Sequence, residues 1–378
     1  MRMIPTLLYI NTFQFGYHID SYMHCKYLRN DFKVTYICFD NGYPKIKEDG
    51  VEVIYVPWNS SYFKNGVRFM RTCINHYKTN KTEYLFAVYF PLVSLLNIIL
   101  GDRNMILDFR TGSVDGSKVK RRIINSLMRF ESFFFKRISV ISESLALKLK
   151  LNMEKVFILP LGADILSTKN KTFDSLRLFY IGTLDGRNIQ DTVYGLKLFL
   201  ESNRTAGLKV SYEIVGNGNT EFITLLQKAI ENTGLQKEVI LHGKKLHKEL
   251  KYYFDNCNVG VSYIPITEYY DCQPPTKTFE YVNAGMACIA TETQENKKLI
   301  TFNNGFLCQD NPESFCRALT EFSKDLKKWD SSIIRNTLSH YNWANISENL
   351  KNYILNQHQQ KCNIEKSATI NPTKIQQD

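Results

Sequence analysis

The sequence predicts an α/β protein built from two doubly wound domains, and three observations predict it. Short apolar runs recur along the chain between longer amphipathic segments, the pattern of parallel sheets assembled from βαβ units. These runs fall into two series separated by one short polar stretch, and 378 residues suit two domains at roughly 150 residues each. With 44% apolar and 22% charged residues, the composition is that of a folded chain with a sizeable core, which excludes wholesale disorder.

In the first series, TLLYINTF, VTYICFD, VEVIYVP, YLFAVYF, MILDF and ISVIS read as buried strands, all before residue 143, and VFILPLG from Val156 closes it. One stretch, Tyr84 to Leu100, is uncharged and reaches the lower limit of about 17–25 residues for a spanning helix. Pro91 divides it, however, and its first half is aromatic and β-branched while its second opens with Pro at a helix start. A strand followed by a core helix is therefore expected there. The polar stretch STKNKTFDS, Ser167 to Ser175, reads as an interdomain linker, giving an N-terminal domain over 1–166 and a C-terminal one over 167–335. LRLFYIG, VSYEIVG, EVILHG, VGVSYI and MACIAT are the strands of the second series, with IQDTVYGLKLFLESN and TEFITLLQKAIENTG as helices between them. A C-terminal helix is expected over 336–356, then a flexible polar tail over 357–378.

Charge and cysteine usage narrow the function classes. The chain holds 48 Lys and Arg against 37 Asp and Glu, a net +11 that calls for an anionic partner. Nine cysteines, an odd number with no CxxC pair, and strand-like opening residues predict a reducing, cytoplasmic setting without disulfides. No D-x-D pair occurs, which argues against a donor held through a divalent metal. GxGxxG after the first strand, GxxxxGK[ST] and GxSxG are absent too, so dinucleotide oxidoreductase, P-loop and hydrolase readings lose support. Cysteine and histidine spacing shows no zinc site, and no nucleic-acid motif accompanies the positive charge.

Most informative is DCQPPTKTFEYVNAGMACIAT, Asp271 to Thr291. Pro274 and Pro275 suit a helix start, because the first turn has no intrahelical acceptor for the N–H that Pro lacks. Thr276 and Thr278 then offer hydroxyls and early-turn N–H groups, and with Lys277 they make a ready site for a diphosphate. Glu280, three residues on, is placed to accept hydrogen bonds from ribose hydroxyls. Gly285 ends the helix before the next strand.

This segment resembles the donor-site motif of family 4 glycosyltransferases, P-x-K-x-x-E-[FY]-x-x-x-G before a strand. Other pieces are similar in the family's order: LFYIGTLDGRNIQ with a Gly–Arg loop, YEIVGNGN with a glycine turn, the strand–helix–strand EVILHGKKLHKELKYYFDNCNVGVSYIP, and the closing NNGFLCQDNPESFCRAL and HYNWANISENL. ISVISESLALKL and VFILPLGAD resemble the last strands of the first half. The resemblance implies a GT-B fold, two Rossmann-like domains facing across a cleft, with a nucleotide-diphosphate sugar bound by the C-terminal one and no metal cofactor. It implies that Arg187 and Lys277 hold the diphosphate and Glu280 the ribose, with Gly182 and Gly216 on the donor side. Gly16, after the first strand, would let the backbone approach the phosphates.

The sequence departs from the family where a second acidic residue usually stands eight positions before the Glu: that position is Cys272. Asp271 and Gln273 are then the candidates for holding sugar hydroxyls. The Lys common beyond the Gly–Arg loop is missing from Gln190 to Val193, and the His that many relatives carry in the first half is missing from Ile106 to Gly116. There, ILDFRTGSVDG offers Asp108 and Arg110 after a buried strand, where open α/β sheets bind ligands. They are read either as catalytic participants or as a pair that fixes the loop.

Between Arg110 and Lys150 ten Lys or Arg face three Asp or Glu, a net +7. SKVKRRIINSLMRFESFFFKR reads as a basic amphipathic helix suited to an anionic membrane surface. Lys118, Lys120, Arg121 and Arg122 are expected to face lipid while the Ile and Phe side packs as core. The expected activity is sugar transfer with retention from a nucleotide-sugar donor to a lipid-linked or oligosaccharide acceptor in cell-surface polysaccharide assembly. The alternatives are a nucleotide-sugar epimerase of the same fold and a non-catalytic partner in a polysaccharide complex.

Overall fold

The computed structural model describes residues 4–59, 61–101, 104–202 and 207–355. They form two compact units. The first runs to Leu161 and regains the chain at Trp343, and the second is Gly162–Asn342.

Unit one holds seven parallel strands: β1 Thr6–Ile10, β2 Lys33–Asp40, β3 Val51–Pro57, β4 Tyr84–Val88, β5 Ile106–Phe109, β6 Arg137–Val140 and β7 Val156–Ile158. Their order is β3-β2-β1-β4-β5-β6-β7, so the winding reverses between β1 and β4. The strands are apolar without alternation because helices cover both faces: all four residues of β5 are buried. These helices are α1 Ile19–Leu28, α2 Tyr62–Thr79, α3 Val93–Leu100, α4 Lys118–Ser132 and α5 Glu143–Lys148. Tyr84 to Leu100 is thus a strand and a helix, and among the described residues no helix is long and apolar enough to cross a membrane.

Unit two has six parallel strands: β8 Leu176–Thr183, β9 Val210–Asn217, β10 Val239–Leu241, β11 Val259–Ser262, β12 Ala287–Thr291 and β13 Gly305–Cys308. The order β10-β9-β8-β11-β12-β13 reverses between β8 and β11. Between these strands lie α6 Gln190–Glu201, α7 Thr220–Thr233, α8 His247–Asn256, α9 Thr276–Asn283 and α10 Gln294–Leu299; α11 Pro312–Ser323 and α12 Ser331–Leu338 follow β13. The fold is GT-B, two Rossmann-like parallel-sheet domains. The last helix, α13 Trp343–Ile354, belongs to unit one. Arg137 donates to the carbonyls of Tyr353 and Ile354, and Phe157 stacks on Tyr353 at 4.2 Å.

Two expectations about organisation change. The boundary falls between Leu161 and Gly162, and the STKNKTFDS stretch is packed within unit two rather than free. Lys171 explains why: its N–H donates to Ser331 Oγ at 2.8 Å, and its Nζ is held by Ser167 Oγ at 3.0 Å and the carbonyl of Phe254. The helix expected over 336–356 is divided between the end of α12 in one unit and α13 in the other. The tail over 357–378 lies outside the described residues. The described cysteines carry no disulfide.

The apolar side of α4 departs from the expectation that it packs as core, while Lys118, Lys120 and Arg122 are exposed. Its Ile and Phe side is exposed, with Ile123 at 63% and Phe130 at 57%, while Met128, Glu131 and Ser132 are buried. The cause is Glu131, whose carboxylate accepts the N–H groups of Leu92 and Ser94, each at 3.0 Å, and so turns its own side of α4 inward. Arg121 parts from the other cations: half-buried, it donates through Nη1 to the carbonyls of Asp115 and Gly116 at 2.7 and 3.0 Å.

Candidate functional site

In open α/β sheets a crevice forms beyond the carboxyl ends of the strands where the winding reverses. In unit two that point lies between β8 and β11, and it opens onto a cavity of about 350 Å³. Ile181, Gly182 and Thr183 from the end of β8 line it, with Ile264 beyond β11 and Thr276, Lys277 and Glu280 from the first turns of α9. Arg187 and Tyr270 complete one wall, and Gln273, Pro274 and Pro275 lead into α9. The volume is within the range of small-ligand sites, roughly 300–1,000 Å³.

Close packing holds α9 there. A side-chain carbon at Gly260 would lie 2.1 Å from the ring of Tyr281, so glycine in β11 admits that ring. Tyr281 Oη then accepts the N–H of Ile181 at 2.9 Å and joins α9 to β8. Gly182 has φ +145°, a glycine conformation, and any Cβ would stand 3.6 Å from Lys277 Nζ at the cavity floor. Gly216 lies beneath it: a Cβ there would meet the Gly182 carbonyl oxygen at 2.1 Å. Gly216 therefore serves strand approach and does not line the cavity, which corrects its placement on the donor side.

The electrostatics of the cavity wall are unusual. Lys277 Nζ and Arg187 Nη1 are buried, and neither has a hydrogen-bond partner among the described residues. Each cation instead sits over an aromatic face, Lys277 Nζ 4.0 Å from the Tyr180 centroid and Arg187 Cζ 4.1 Å from that of Tyr270. A ring quadrupole attracts a cation without using its N–H donors. Burial, then the charge of Arg187, lowers the Lys277 amine to about 7. Burial, then Asp164, raises the Glu280 carboxyl to about 7. Both cation donors thus stand without a hydrogen-bond partner among the described residues, beside the positive end of a helix with no acidic residue in its first turn.

Six of the sequence-predicted donor residues meet here: Gly182, Arg187, Gln273, Thr276, Lys277 and Glu280. Thr278 does not, because its hydroxyl is buried between Ser262 Oγ at 2.7 Å and Asn296 Oδ1 at 3.0 Å. Asp271 is turned away, accepting the N–H of Gln294 at 2.8 Å and anchoring the loop to α10. Cys272 is buried beside it. Tyr180 and Tyr270 were missed: Tyr180 reads as one more apolar strand residue, and Tyr270 lies in a loop whose spacing carries no signal.

Unit one treats its charges differently. Asp108 is inside β5, not after it, and is fully buried. Its Oδ1 accepts from Ser139 Oγ at 2.6 Å, and burial pushes its carboxyl up to about 6. Arg110 is also buried; its Nε donates to Asp20 Oδ2 at 2.8 Å and its Nη1 to the Leu159 carbonyl at 2.8 Å. The pair fixes the loop, and its catalytic reading is not supported by this geometry. Gly16 is packed against Ile46 in the turn before α1. His18 caps α1, its Nδ1 2.9 Å from Ser21 Oγ.

Known proteins share parts of this chain and its fold. Residues 175–325 match the family model described as glycosyl transferases group 1. No curated protein matches the chain. Among solved structures, sucrose-phosphate synthase from Thermosynechococcus elongatus is similar with a TM-score of 0.72 at 13% identity, covering 92% of this chain and 97% of that one. The lipopolysaccharide outer core galactosyltransferase WaaB, in its apo form, is similar at 0.68 and 13% identity, covering 93% and 100%. HepE from Anabaena, in complex with UDP-glucose, gives 0.66 at 11% identity, covering 92% and 98%.

Proposed function

We propose that the protein is a glycosyltransferase that takes its sugar from a nucleoside-diphosphate sugar bound in the cavity between β8 and α9. The observation that carries this is a pair of half-buried cations, Arg187 and Lys277, whose buried Nη1 and Nζ are unpartnered among the described residues beside a helix N-terminus. A diphosphate fits such a site in charge and geometry. The match of residues 175–325 to group 1 glycosyl transferases supports the same reading, as does the UDP-glucose bound by HepE.

In this reading the bond between the anomeric carbon and the diphosphate oxygen breaks, and its electron pair leaves with the diphosphate. Arg187 and Lys277 neutralise that growing charge, placed in advance where it develops. The acceptor hydroxyl forms the new bond, and its proton passes to the departing phosphate oxygen with retention at the anomeric carbon. Glu280 accepts hydrogen bonds from the ribose, Thr276 offers its hydroxyl to the diphosphate, and Gln273 stands at the sugar end. The acceptor is a lipid-linked or free oligosaccharide of cell-surface polysaccharide assembly, in keeping with the likeness to WaaB, a lipopolysaccharide outer core galactosyltransferase.

The test is a thermal-shift screen of nucleoside-diphosphate sugars on the full chain, followed by turnover of the best donor before and after dialysis against EDTA. One donor should raise the melting temperature, and transfer should survive metal removal. No stabilisation by any donor, or only epimerised sugar in the absence of acceptor, would overturn the assignment.

A further inference from the structure

The face of α4 opposite the buried Met128 is left uncovered by the described residues. Val119, Ile123, Leu127 and Phe130 fall at helical spacing on that side and are all exposed, Val119 at 66%. A second apolar face adjoins it on α3, where Leu92, Leu95, Ile98 and Ile99 are exposed while Val93, Leu96 and Asn97 pack inward. The two faces are held in one piece. Glu131 of α4 takes the N–H groups of Leu92 and Ser94 at the start of α3, which has no side-chain cap of its own. At its other end Asn97 Nδ2 donates to the Phe134 carbonyl at 2.8 Å. Leu92 adopts φ +70° to enter this arrangement, a conformation that leucine rarely takes.

The charges around this patch have one sign. From Gly116 to Phe130 there is no Asp or Glu, and Pro91 to Gly101 is uncharged. Lys118, Arg122 and Arg129 flank the α4 stripe on one side and Lys120 on the other, all exposed. A large exposed apolar patch marks an interaction surface. Two copies meeting through it would bring these cations together, so self-association is disfavoured. An anionic bilayer satisfies both halves: acyl chains take the apolar stripe and headgroups pair with the rim.

We propose that α3 and α4 form one membrane-docking face, with Ile123, Phe130 and the α3 residues entering the headgroup region of an anionic bilayer and Lys118, Lys120 and Arg122 at its edge. This differs from docking through the cations alone, because the apolar contribution persists when salt screens the charges. It does not depend on the proposed activity, since binding is read without turnover.

Flotation of the full chain with vesicles of phosphatidylcholine and phosphatidylglycerol in equal parts tests it, with phosphatidylcholine alone as the control. Wild type should float with the mixed vesicles, less at high salt but still measurably, and weakly with the neutral ones. Ile123→Ser with Phe130→Ser should lower binding at least tenfold with an unchanged melting temperature, since both side chains are exposed. Lys118→Gln with Lys120→Gln and Arg122→Gln should lower it on the order of a hundredfold and erase the preference for anionic lipid. An Ile123→Trp variant should show blue-shifted fluorescence and quenching by brominated acyl chains. Wild type that ignores mixed vesicles, a serine variant that binds like wild type, or an oligomer that Phe130→Ser dissolves would each overturn the proposal, the last in favour of a protein contact.

Discussion

Each unit buries arginine chemistry near the carboxyl ends of its parallel strands, and the two do opposite things with it. In unit one Arg110 has acceptors close at hand: Nε donates to Asp20 and Nη1 to the Leu159 carbonyl, each at 2.8 Å, and Nη2, without a hydrogen bond, lies 2.7 Å from Asp20 as an ion pair. Burial works to raise Asp20, but Arg110 outweighs it and the carboxyl ends below its ordinary value. In unit two Arg187 Nη1 and Lys277 Nζ have ring faces and, among the described residues, no acceptor, and the lysine is driven down to about 7. A buried cation is therefore no functional signal by itself. The signal is whether the fold has supplied its partner or left that place for a ligand.

The contrast can be broken most severely in unit one. Arg110→Met leaves Asp20 buried without its cation, and breaking such a pair costs about 3–5 kcal/mol. Urea unfolding should show that loss. A variant as stable as wild type would mean the pair is not structural, and would make Arg110 a ligand-binding candidate again.

In unit two the same kind of change should act on binding and not on folding. Lys277→Met and Arg187→Ala each remove charge-assisted hydrogen bonds worth about 1.5–3 kcal/mol, more than tenfold in donor affinity by calorimetry. Unliganded Lys277→Met should unfold no more easily than wild type, and about 1 kcal/mol less easily where the lysine would be charged. That gain is full below about pH 7 and fades toward the ordinary lysine value near 10.5, because the folded state holds the proton less tightly than the unfolded one. Destabilisation by Lys277→Met would make the lysine structural and erase the difference between the units.

The smallest effect sharpens the comparison through pH. A nucleoside-diphosphate sugar keeps its diphosphate charge across the neutral range, so the site's own groups set the profile. Affinity should fall above about pH 7 as Lys277 loses its proton, by at most tenfold per unit, and fall more gently below about 7 as Glu280 gains one. Lys277→Met should flatten the alkaline limb and Glu280→Gln the acid limb. A flat wild-type profile between pH 6 and 8, about one unit either side of that midpoint, would show that neither group faces the ligand.

Much of this was legible in the sequence. The strand series maps onto both sheets, and P-x-K-x-x-E places Lys277 and Glu280 together because three residues on a helix nearly complete one turn. Less legible was anything that needed a distant partner. Thr278 resembles Thr276 in sequence, yet its hydroxyl is taken by Asn296 from a helix that follows the next strand. Asp108 and Arg110 read equally as site or scaffold until Asp20, ninety residues earlier, is seen to hold the arginine. Tyr180 and Tyr270 become part of the site only through the cations above them.

The amino-acid sequence by itself determined the two α/β series, their winding, and the local chemistry of the α9 turn, because these depend on periodicity and on residues a few positions apart. Tertiary structure alone decided which side of α4 is covered, where the first unit ends, and which buried charges are left without a partner. The 3.6-residue period divides a helix into faces but does not say which face meets the protein. In α4 that choice lies with one carboxylate, Glu131, and the backbone N–H groups it meets thirty-nine and thirty-seven residues away.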